Sequence, residues 1–345
     1  MDDYWVWCGS VVRGDDHRYH MFASRWPKAM SFSPHWLTNS EIVRAISDTP
    51  EGPYRFEEVV LPTRGEACWD GRMTHNPAVV RHRDRYLLFY TGTTYAGETP
   101  TPDHPLPLGD PATMKDPDPR VIDAHRHQRI GLATAPDPTG PWTRLDRPVL
   151  EPRPGRWDGL ITTNPAPCVT PEGRLLLIYK SVTRLGGLMH LGVAGADSPD
   201  RPFKRLSDRP IFEADARGDH VEDPFLWHEG GIYHLIMKEM NGKLGGEPRG
   251  GIALQSPDGV HWPNVASNVQ RAYSRHIRWD DGTRTTQAFF ERPQLLLEHG
   301  QPTHLFAATG VGSENIGRVI DTWNMVIPLG HDYPDRVHLK RVSRP

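Results

Sequence analysis

The chain has 345 residues, Lys+Arg 40 against Asp+Glu 43, and a formal net charge of -3. That balance excludes a strongly basic nucleic-acid binder and a polybasic membrane partner, and no run approaches the roughly 18 apolar residues of a membrane span. Cys8, Cys68 and Cys168 are too few and too scattered for a disulfide framework or a zinc site.

The start, Met1-Asp2-Asp3-Tyr4-Trp5, has neither the basic nor the apolar region of a signal peptide, so the expected address is cytoplasmic. Gly 32 and Pro 34 together exceed average usage and disfavour long helices. The best helix-period run, Asn39 to Ile46, covers only two turns. Short apolar or alternating runs between turn signals recur instead, which argues an all-β fold.

One phrase repeats five times: a corner, an apolar strand, a polar turn and a second strand. The copies begin at Cys8-Gly9-Ser10, Asn76-Pro77-Ala78, Asn164-Pro165-Ala166, Glu222-Asp223-Pro224 and Glu291-Arg292-Pro293. Their second strands include Tyr19 to Ser24, Tyr86 to Thr91, Leu175 to Lys180, Tyr233 to Lys238 and Thr303 to Ala308. A third strand follows most copies and ends in a turn, as in Gly52-Pro53-Tyr54 and Gly140-Pro141-Trp142. The corners are spaced by 68, 88, 59 and 69 residues, so five blade-sized units fill the chain. The expectation is a single domain, 1–345: a five-bladed β-propeller with four antiparallel strands per blade.

Loops entering the innermost strands share a face with those joining second to third strands. That face carries the long segments Arg25 to Glu41, Gly92 to Gln128, Ser181 to Met189, Glu239 to Gly250 and Gly310 to Arg318. Residues 92–128, rich in Pro, Asp and His, are too long for an idle connection and read as a lid or wall.

Two entering loops match position for position: Trp69-Asp70-Gly71 before Asn76-Pro77, and Trp157-Asp158-Gly159 before Asn164-Pro165. Asp70 and Asp158 suit either a structural turn or an axial base. His220-Val221-Glu222-Asp223 sets two carboxylates at the mouth of an innermost strand, where crowding and desolvation raise a pKa as a general acid needs. Glu291-Arg292 stands at the next corner, and Arg292 suits an ion pair or an anion clamp. The catalytic candidates are Glu222, Asp158, Asp70 and Glu291. The substrate-binding candidates are Trp7, Arg25, Trp69, His75, Asn76, Asn164, Lys180, His220, Asp223, Lys238 and Arg292. Trp5, Trp26 and Trp157 join Trp7 and Trp69 as aromatics near this face, two of the five being expected to stack on a sugar.

The five units, the acidic-Pro corner and the Gly-Pro-Trp phrase resemble the five-bladed propeller glycosidases of families 43, 62, 32, 68, 117 and 130. The likeness is nearest to family 43, through Val221-Glu222-Asp223-Pro224-Phe225-Leu226. It implies that Glu222 is the general acid, that hydrolysis inverts the anomeric centre, and that furanosides or xylosides are substrates. It also allows a structural cation in the central channel; no other cofactor is expected. The family's other two carboxylates are absent: Trp7-Cys8-Gly9 opens blade one, and Asn164 opens blade three. The expected base is therefore Asp70, Asp158 or Glu291.

Three functions are carried forward. One is exo-hydrolysis of a small oligosaccharide or glycoside. Another is phosphorolysis, using Arg25, Lys28, Lys180, Lys238 and Arg292 to hold phosphate. The third is sugar binding without catalysis. The expected partner is a small carbohydrate, not nucleic acid or membrane, with the oligomeric state open. His75, His125, His127 and His220 are candidate metal ligands, but Asp123-Ala124-His125-Arg126-His127 lacks zinc spacing and reads as a solvated loop.

Overall fold

The computed structural model describes residues 1–109, 115–211, 220–262, 268–312 and 319–330. Residues 110–114 of the lid segment and 313–318 of the Gly310–Arg318 loop lie outside the described residues.

Blade one is β1 (Tyr4–Arg13), β2 (Tyr19–Pro27), β3 (Glu41–Ser47) and β4 (Arg55–Leu61). Helix α1 (Phe32–Asn39) joins its second and third strands. Blade two is β5 (Met73–His82), β6 (Arg85–Thr93), β7 (Arg129–Ala135) and β8 (Thr143–Arg144), with α2 (Pro119–Arg126) inside the long segment. Blade three is β9 (Thr163–Val169), β10 (Leu175–Ser181), β11 (His190–Ala196) and β12 (Lys204–Arg205). Blade four is β13 (Val221–Glu229), β14 (Ile232–Glu239), β15 (Gly251–Ser256) and β16 (Gln270–Tyr273). A ribbon of β17 (His276–Arg278) and β18 (Arg284–Thr286) precedes blade five, which is β19 (Glu291–Glu298), β20 (Gln301–Gly312) and β21 (Val319–Pro328).

The innermost strands touch in cyclic order, β1 to β5, β9, β13, β19 and back to β1, so the sheets close into a five-bladed propeller. The expected four strands per blade hold in four blades. Blade five has three among the described residues. The helix-period run Asn39 to Ile46 is mostly β3, because Ile42 and Val43 are claimed by the packing between blades and the sheet overrides the local period.

The near-continuous apolar second strands follow from this architecture. Each is buried on both faces, and successive side chains enter different interfaces. On β10, Leu175, Leu177 and Tyr179 pack toward blade two while Leu176 and Ile178 pack toward blade four. On β6, Leu87 and Phe89 face blade three while Leu88 and Tyr90 face blade one. The core is thus a set of slabs between blades. Among the described residues no helix is long and apolar enough to cross a membrane.

The lid segment packs as an ordered wall along much of its length. Tyr95, Leu106, Val121 and Ala124 share a small core with Leu37 of α1 and Met73 of β5. Tyr95 donates to Thr38 O at 2.9 Å, and the Leu106 N–H donates to His35 Nε2 at 2.9 Å. Asp118 caps α2 by accepting from the Arg120 N–H.

Candidate active site

Each innermost strand bends at its corner. Cys8, Asn76, Asn164, Asp223 and Arg292 have φ of 60°, 52°, 50°, 57° and 51°. A strand residue in the left-handed region adds a bulge, and the pairing slips there in all five blades. The bulges turn five side chains onto the propeller axis. Cys8 Sγ donates to Asn76 Oδ1 at 2.9 Å, Asn76 Nδ2 to Asn164 Oδ1 at 3.0 Å, and Asn164 Nδ2 to Asp223 Oδ1 at 2.6 Å. The Arg292 N–H donates to Asp223 Oδ2 at 3.1 Å. Burial pushes the Cys8 thiol up, with the Arg292 charge opposing it. Cys8 is therefore a thiol in this ring and not a nucleophile.

The residue before each corner belongs to a second layer: Trp7, His75, Thr163, Glu222 and Glu291. Register brings the second-strand residues Lys180 and Lys238 beside it, opposite Thr163 and Glu222. Lys238 Nζ lies 2.6 Å from Glu222 Oε1, 2.8 Å from Glu291 Oε1 and 3.7 Å from Asp223 Oδ2. Lys180 Nζ lies 2.8 Å from Glu222 Oε2. The Glu222, Glu291 and Lys180 side chains keep 15, 20 and 15% of their surface exposed, so a solute can reach all three.

The two carboxyls are pushed apart in acidity. Burial works to raise Glu222, but Lys180 and Lys238 outweigh it and hold the carboxyl well below the usual range. Burial raises Glu291; its single ammonium, Lys238, only partly offsets this, while Asp223 and Glu222 add to the rise. Burial also opposes the charge on Lys238, yet the surrounding carboxylates win and keep it an ammonium. Two cations against one decide which carboxyl keeps its proton.

Three imidazoles border this floor. His75 is lowered to about 3 by burial, then by Arg292 and Lys180; its Nδ1 meets Ser40 Oγ at 2.8 Å. His125 of α2 is lowered to about 4 by burial and Lys180. His220 is lowered by burial, with Glu222 opposing. All three are neutral near pH 7. Nδ1 of His125, Nδ1 of His220 and the Tyr273 hydroxyl are buried without a hydrogen-bond partner. Trp36 of α1 lies 5.3 Å from the His75 ring.

Of the sequence candidates, Glu222, Glu291, His75, Lys180, His220, Asp223, Lys238, Asn76, Asn164 and Arg292 come together at the axis. Asp70 and Asp158 do not. Asp70 is fully buried and accepts from Tyr90 Oη at 2.7 Å, Arg64 Nε at 3.1 Å and Arg144 Nη1 at 3.2 Å. Asp158 is equally buried and accepts from Tyr179 Oη at 2.9 Å, Arg153 Nε at 2.9 Å and Arg205. Each ties the outermost strand to the second strand, and neither touches solvent; they take the structural option. Trp69 and Trp157 complete these latches by stacking on Tyr90 and Tyr179.

Trp7 is edge-on to Phe32 and Phe289 at 5.0 and 5.8 Å, inside a core cluster. Arg25 pairs with Glu41 at 2.9 Å and covers Tyr4 and Phe56, away from the axis. Lys28 pairs with Asp321 at 2.6 Å, so the expected five-cation phosphate cluster is not assembled. His127 pairs with Asp123 at 3.1 Å on the surface, apart from the other histidines. Among the described residues no group of three or more His, Cys, Asp or Glu is placed to hold a metal ion.

Tyr273 and Trp36 are not among the sequence candidates, and the sequence offers His125 only as a metal ligand or a solvated loop residue. An unpartnered buried polar atom marks Tyr273 and His125, and the ring contact with His75 marks Trp36; both features exist only in three dimensions.

No family model matches the chain, and no curated protein matches it. Solved structures do. A family 117 glycoside hydrolase of the marine bacterium Zobellia galactanivorans is 17% identical over 99% of this chain and 91% of its own, with a TM-score of 0.67. A thermostable family-43 glycoside hydrolase is 12% identical over 98% and 97%, with a TM-score of 0.58. An exo-1,5-alpha-L-arabinanase from a bovine ruminal metagenomic library is 15% identical over 95% and 98%, with a TM-score of 0.55. At these identities the likeness is one of fold: this chain has the five-bladed propeller found in those glycoside hydrolases.

Proposed function

We propose that the chain is a glycosidase acting at the end of a small saccharide or glycoside. In this proposal Glu291 carries the catalytic proton and Glu222 is the ionised partner, the reverse of the role that resemblance implied for Glu222. The supporting observation is the shared ammonium, Lys238 Nζ, 2.6 Å from one carboxyl and 2.8 Å from the other. The facing oxygens are no further apart than those two distances laid end to end. That ceiling favours the ~5–5.5 Å separation of a retaining pair over the ~6.5–9.5 Å that leaves an inverting pair room for water. Retention is therefore proposed in place of the inversion expected from family 43.

The steps balance without a cofactor. Glu222 attacks the anomeric carbon as the bond to the leaving oxygen breaks and the Glu291 proton passes to that oxygen. Ester formation removes the Glu222 charge. Glu291 then shares Lys238 with Asp223 alone, at 3.7 Å, and no longer faces the Glu222 charge, so its pKa falls and it becomes a base. Water gives a proton to Glu291 and attacks the anomeric carbon, and the ester bond to Glu222 breaks. The wall of α1 and the lid segment closes one side of the floor, which favours a chain end over the middle of a polymer.

The test is a panel of aryl α- and β-furanosides and pyranosides with short oligosaccharides, read by proton NMR for the first anomer released. Glu291→Gln is expected to slow poor leaving groups by ~10²–10⁴-fold and to spare activated aryl groups. Glu222→Gln should slow both. Added phosphate should not stimulate turnover, because Arg25 and Lys28 are held elsewhere. Turnover indifferent to both substitutions refutes the proposal, as does silence of the wild type across the panel. Turnover with inversion refutes retention alone.

A further inference from the structure

Across blade four, Glu222, Lys238, Gly251 and Tyr273 pair in register, one on each strand, so all four stand on one face of the sheet. The glycine lets the outermost member of this row reach inward. A Cβ at Gly251 would stand 2.2 Å from Cδ1 and Cε1 of Tyr273, so the Tyr273 ring lies across that position, toward Lys238. Blades two and three use the same device in the opposite sense. There Tyr90 and Tyr179, on second strands, cross Gly131 and Gly192, and their hydroxyls end on Asp70 at 2.7 Å and Asp158 at 2.9 Å. Tyr273 comes from the outermost strand, and no such aspartate receives it. It is 3% exposed, and its hydroxyl is buried with no hydrogen-bond partner.

The charges that act on this hydroxyl are those of the axis. Burial raises it well above its usual range; Asp223 adds to the rise, Lys238 opposes it, and Glu291 and Glu222 add again. It is therefore a neutral donor among three carboxyls. Two of these are engaged on both oxygens: Asp223 by Asn164 and the Arg292 N–H, and Glu222 by Lys238 and Lys180. Lys238 meets Glu291 on Oε1, which leaves Oε2. The strand that carries Glu291 is also tied to Tyr273 directly. Phe290, the preceding residue, stacks on the Tyr273 ring with centroids 4.7 Å apart and planes at 30°. Catalytic hydrogen bonds often close only when the site is occupied, so an open one in the resting site fits this pairing.

We infer that Tyr273 is a positioning residue for Glu291, its hydroxyl donating to Oε2 of that carboxylate in the part of the cycle when Glu291 is ionised. The inference rests on the proposed glycosidase chemistry and deepens it. Once the proton has passed to the leaving oxygen, Glu291 carries a full charge, and a second donor beside Lys238 stabilises it. That donor favours proton transfer and holds the carboxylate in place for the water step. Because the hydroxyl is withdrawn from solvent, it acts through Glu291 and not on the sugar. The other charges on Glu291 are those of Lys238, Asp223 and Glu222, and none of them changes when the hydroxyl is removed.

The test is Tyr273→Phe in the full chain, which keeps the ring and removes the donor. It should lower kcat ~10–100-fold and leave KM within about twofold. The alkaline limb of kcat/KM should move up by ~1–2 pH units, because a donor to the ionised form lowers a carboxyl pKa. Tm should not fall, since only an unmet buried group is lost. Carbon NMR of the Glu291 carboxyl, identified by its disappearance in Glu291→Gln, should show the same upward shift without any substrate. Gly251→Ala drives the ring off the row and should reproduce that shift, and it decides the matter if Tyr273→Phe does not fold. A Glu291 titration unmoved in these variants overturns the inference, because water then meets the hydroxyl. So does a fall in kcat with an unmoved limb and a lowered Tm, which is lost packing. If wild type turns over nothing in the panel, the glycosidase reading fails, and the titration alone decides whether Tyr273 serves Glu291.

Discussion

Replacing Lys180 by methionine removes one of the two ammoniums that hold Glu222 ionised, at a contact of 2.8 Å. Two unit charges at that distance interact by about 1.5 kcal/mol in water and about 6 kcal/mol at an effective dielectric of 20. The pair is mostly but not fully withdrawn from solvent, so the effect lies between these limits, equal to a rise of ~1–4 units in the Glu222 pKa. The sign follows from linkage. A carboxyl held below its unfolded value contributes stability that is fully present above about pH 4.3 and is lost as pH falls through the folded value. Wild type should therefore exceed Lys180→Met in stability by ~1.5–5 kcal/mol above pH 5. The gap should narrow as pH falls below the value Glu222 takes in the variant and close only at the wild-type value, well below the usual carboxylate range. His75 and His125, held neutral partly by Lys180, act in the same direction below about pH 6.5. The assay is urea unfolding at half-unit steps from pH 3 to 8, with Lys180→Arg as the charge-keeping control. A loss in Lys180→Arg equal to that in Lys180→Met refutes the reasoning, because it would mean lost packing and not a lost charge pair.

Other outcomes follow from the same geometry. Wild-type kcat/KM should fall on the alkaline side as Glu291 loses its proton, with no acidic limb from Glu222 near neutrality; a pH profile dominated by an acidic limb in the Glu222 range overturns the assignment of roles. Asp158→Asn should cost ~1–3 kcal/mol of stability by weakening its arginine and tyrosine bonds while leaving kcat near wild type; a collapse of kcat in a folded variant would return Asp158 to the site. A Cβ at Gly192 would stand 2.5 Å from both Trp157 and Tyr179. Gly192→Ala should therefore lower the denaturant midpoint by an amount equal to ~1–3 kcal/mol, and an unchanged midpoint would show that the latch yields freely. Leu177→Ala opens a hole in the slab between blades two and three and should cost ~2–5 kcal/mol by the same measurement.

Much of this was legible in the chain because the repeating signals are local. A corner before proline or glycine, an apolar strand and a polar turn recur in each blade, and the ring of left-handed residues falls on those corners. Glu222, Glu291, Lys180 and Lys238 were legible for the same reason: position relative to the corner determines which side chains share a layer. Asp70 and Asp158 were not, although their motif repeats position for position. Their direction is set by Arg144 and Arg205, which sit on two-residue strands too short to carry a period. Arg25 and Trp7 went astray because a blade's outer strand and a neighbouring loop, far away in sequence, claim them first. The helix α1 is eight residues with a non-helical Ser33 inside it, so it left little periodic trace, and Trp36 was hidden with it. Tyr273 sits at the end of the outermost strand of blade four. Nothing local says that its hydroxyl lies within electrostatic reach of the axial carboxylates.

The ring of corners also bears on how the chain reaches this state. Its links join residues 68, 88 and 59 positions apart, from Cys8 through Asn76 and Asn164 to Asp223. The seam is longer still, with the Gly9 N–H on Asn324 Oδ1 and the Val6 N–H on Thr322 Oγ1. Contacts so remote in sequence are entropically expensive to form early and slow the search. During synthesis, blade one has neither seam partner until nearly the whole chain has emerged. Its flank toward blade five, with Val11, Tyr19 and Met21, must wait for Leu296 and Phe306. An arc lacking its last blade would leave two unpaired flanks, and the surface that later closes the circle would be the one most exposed to pairing with another unfinished chain.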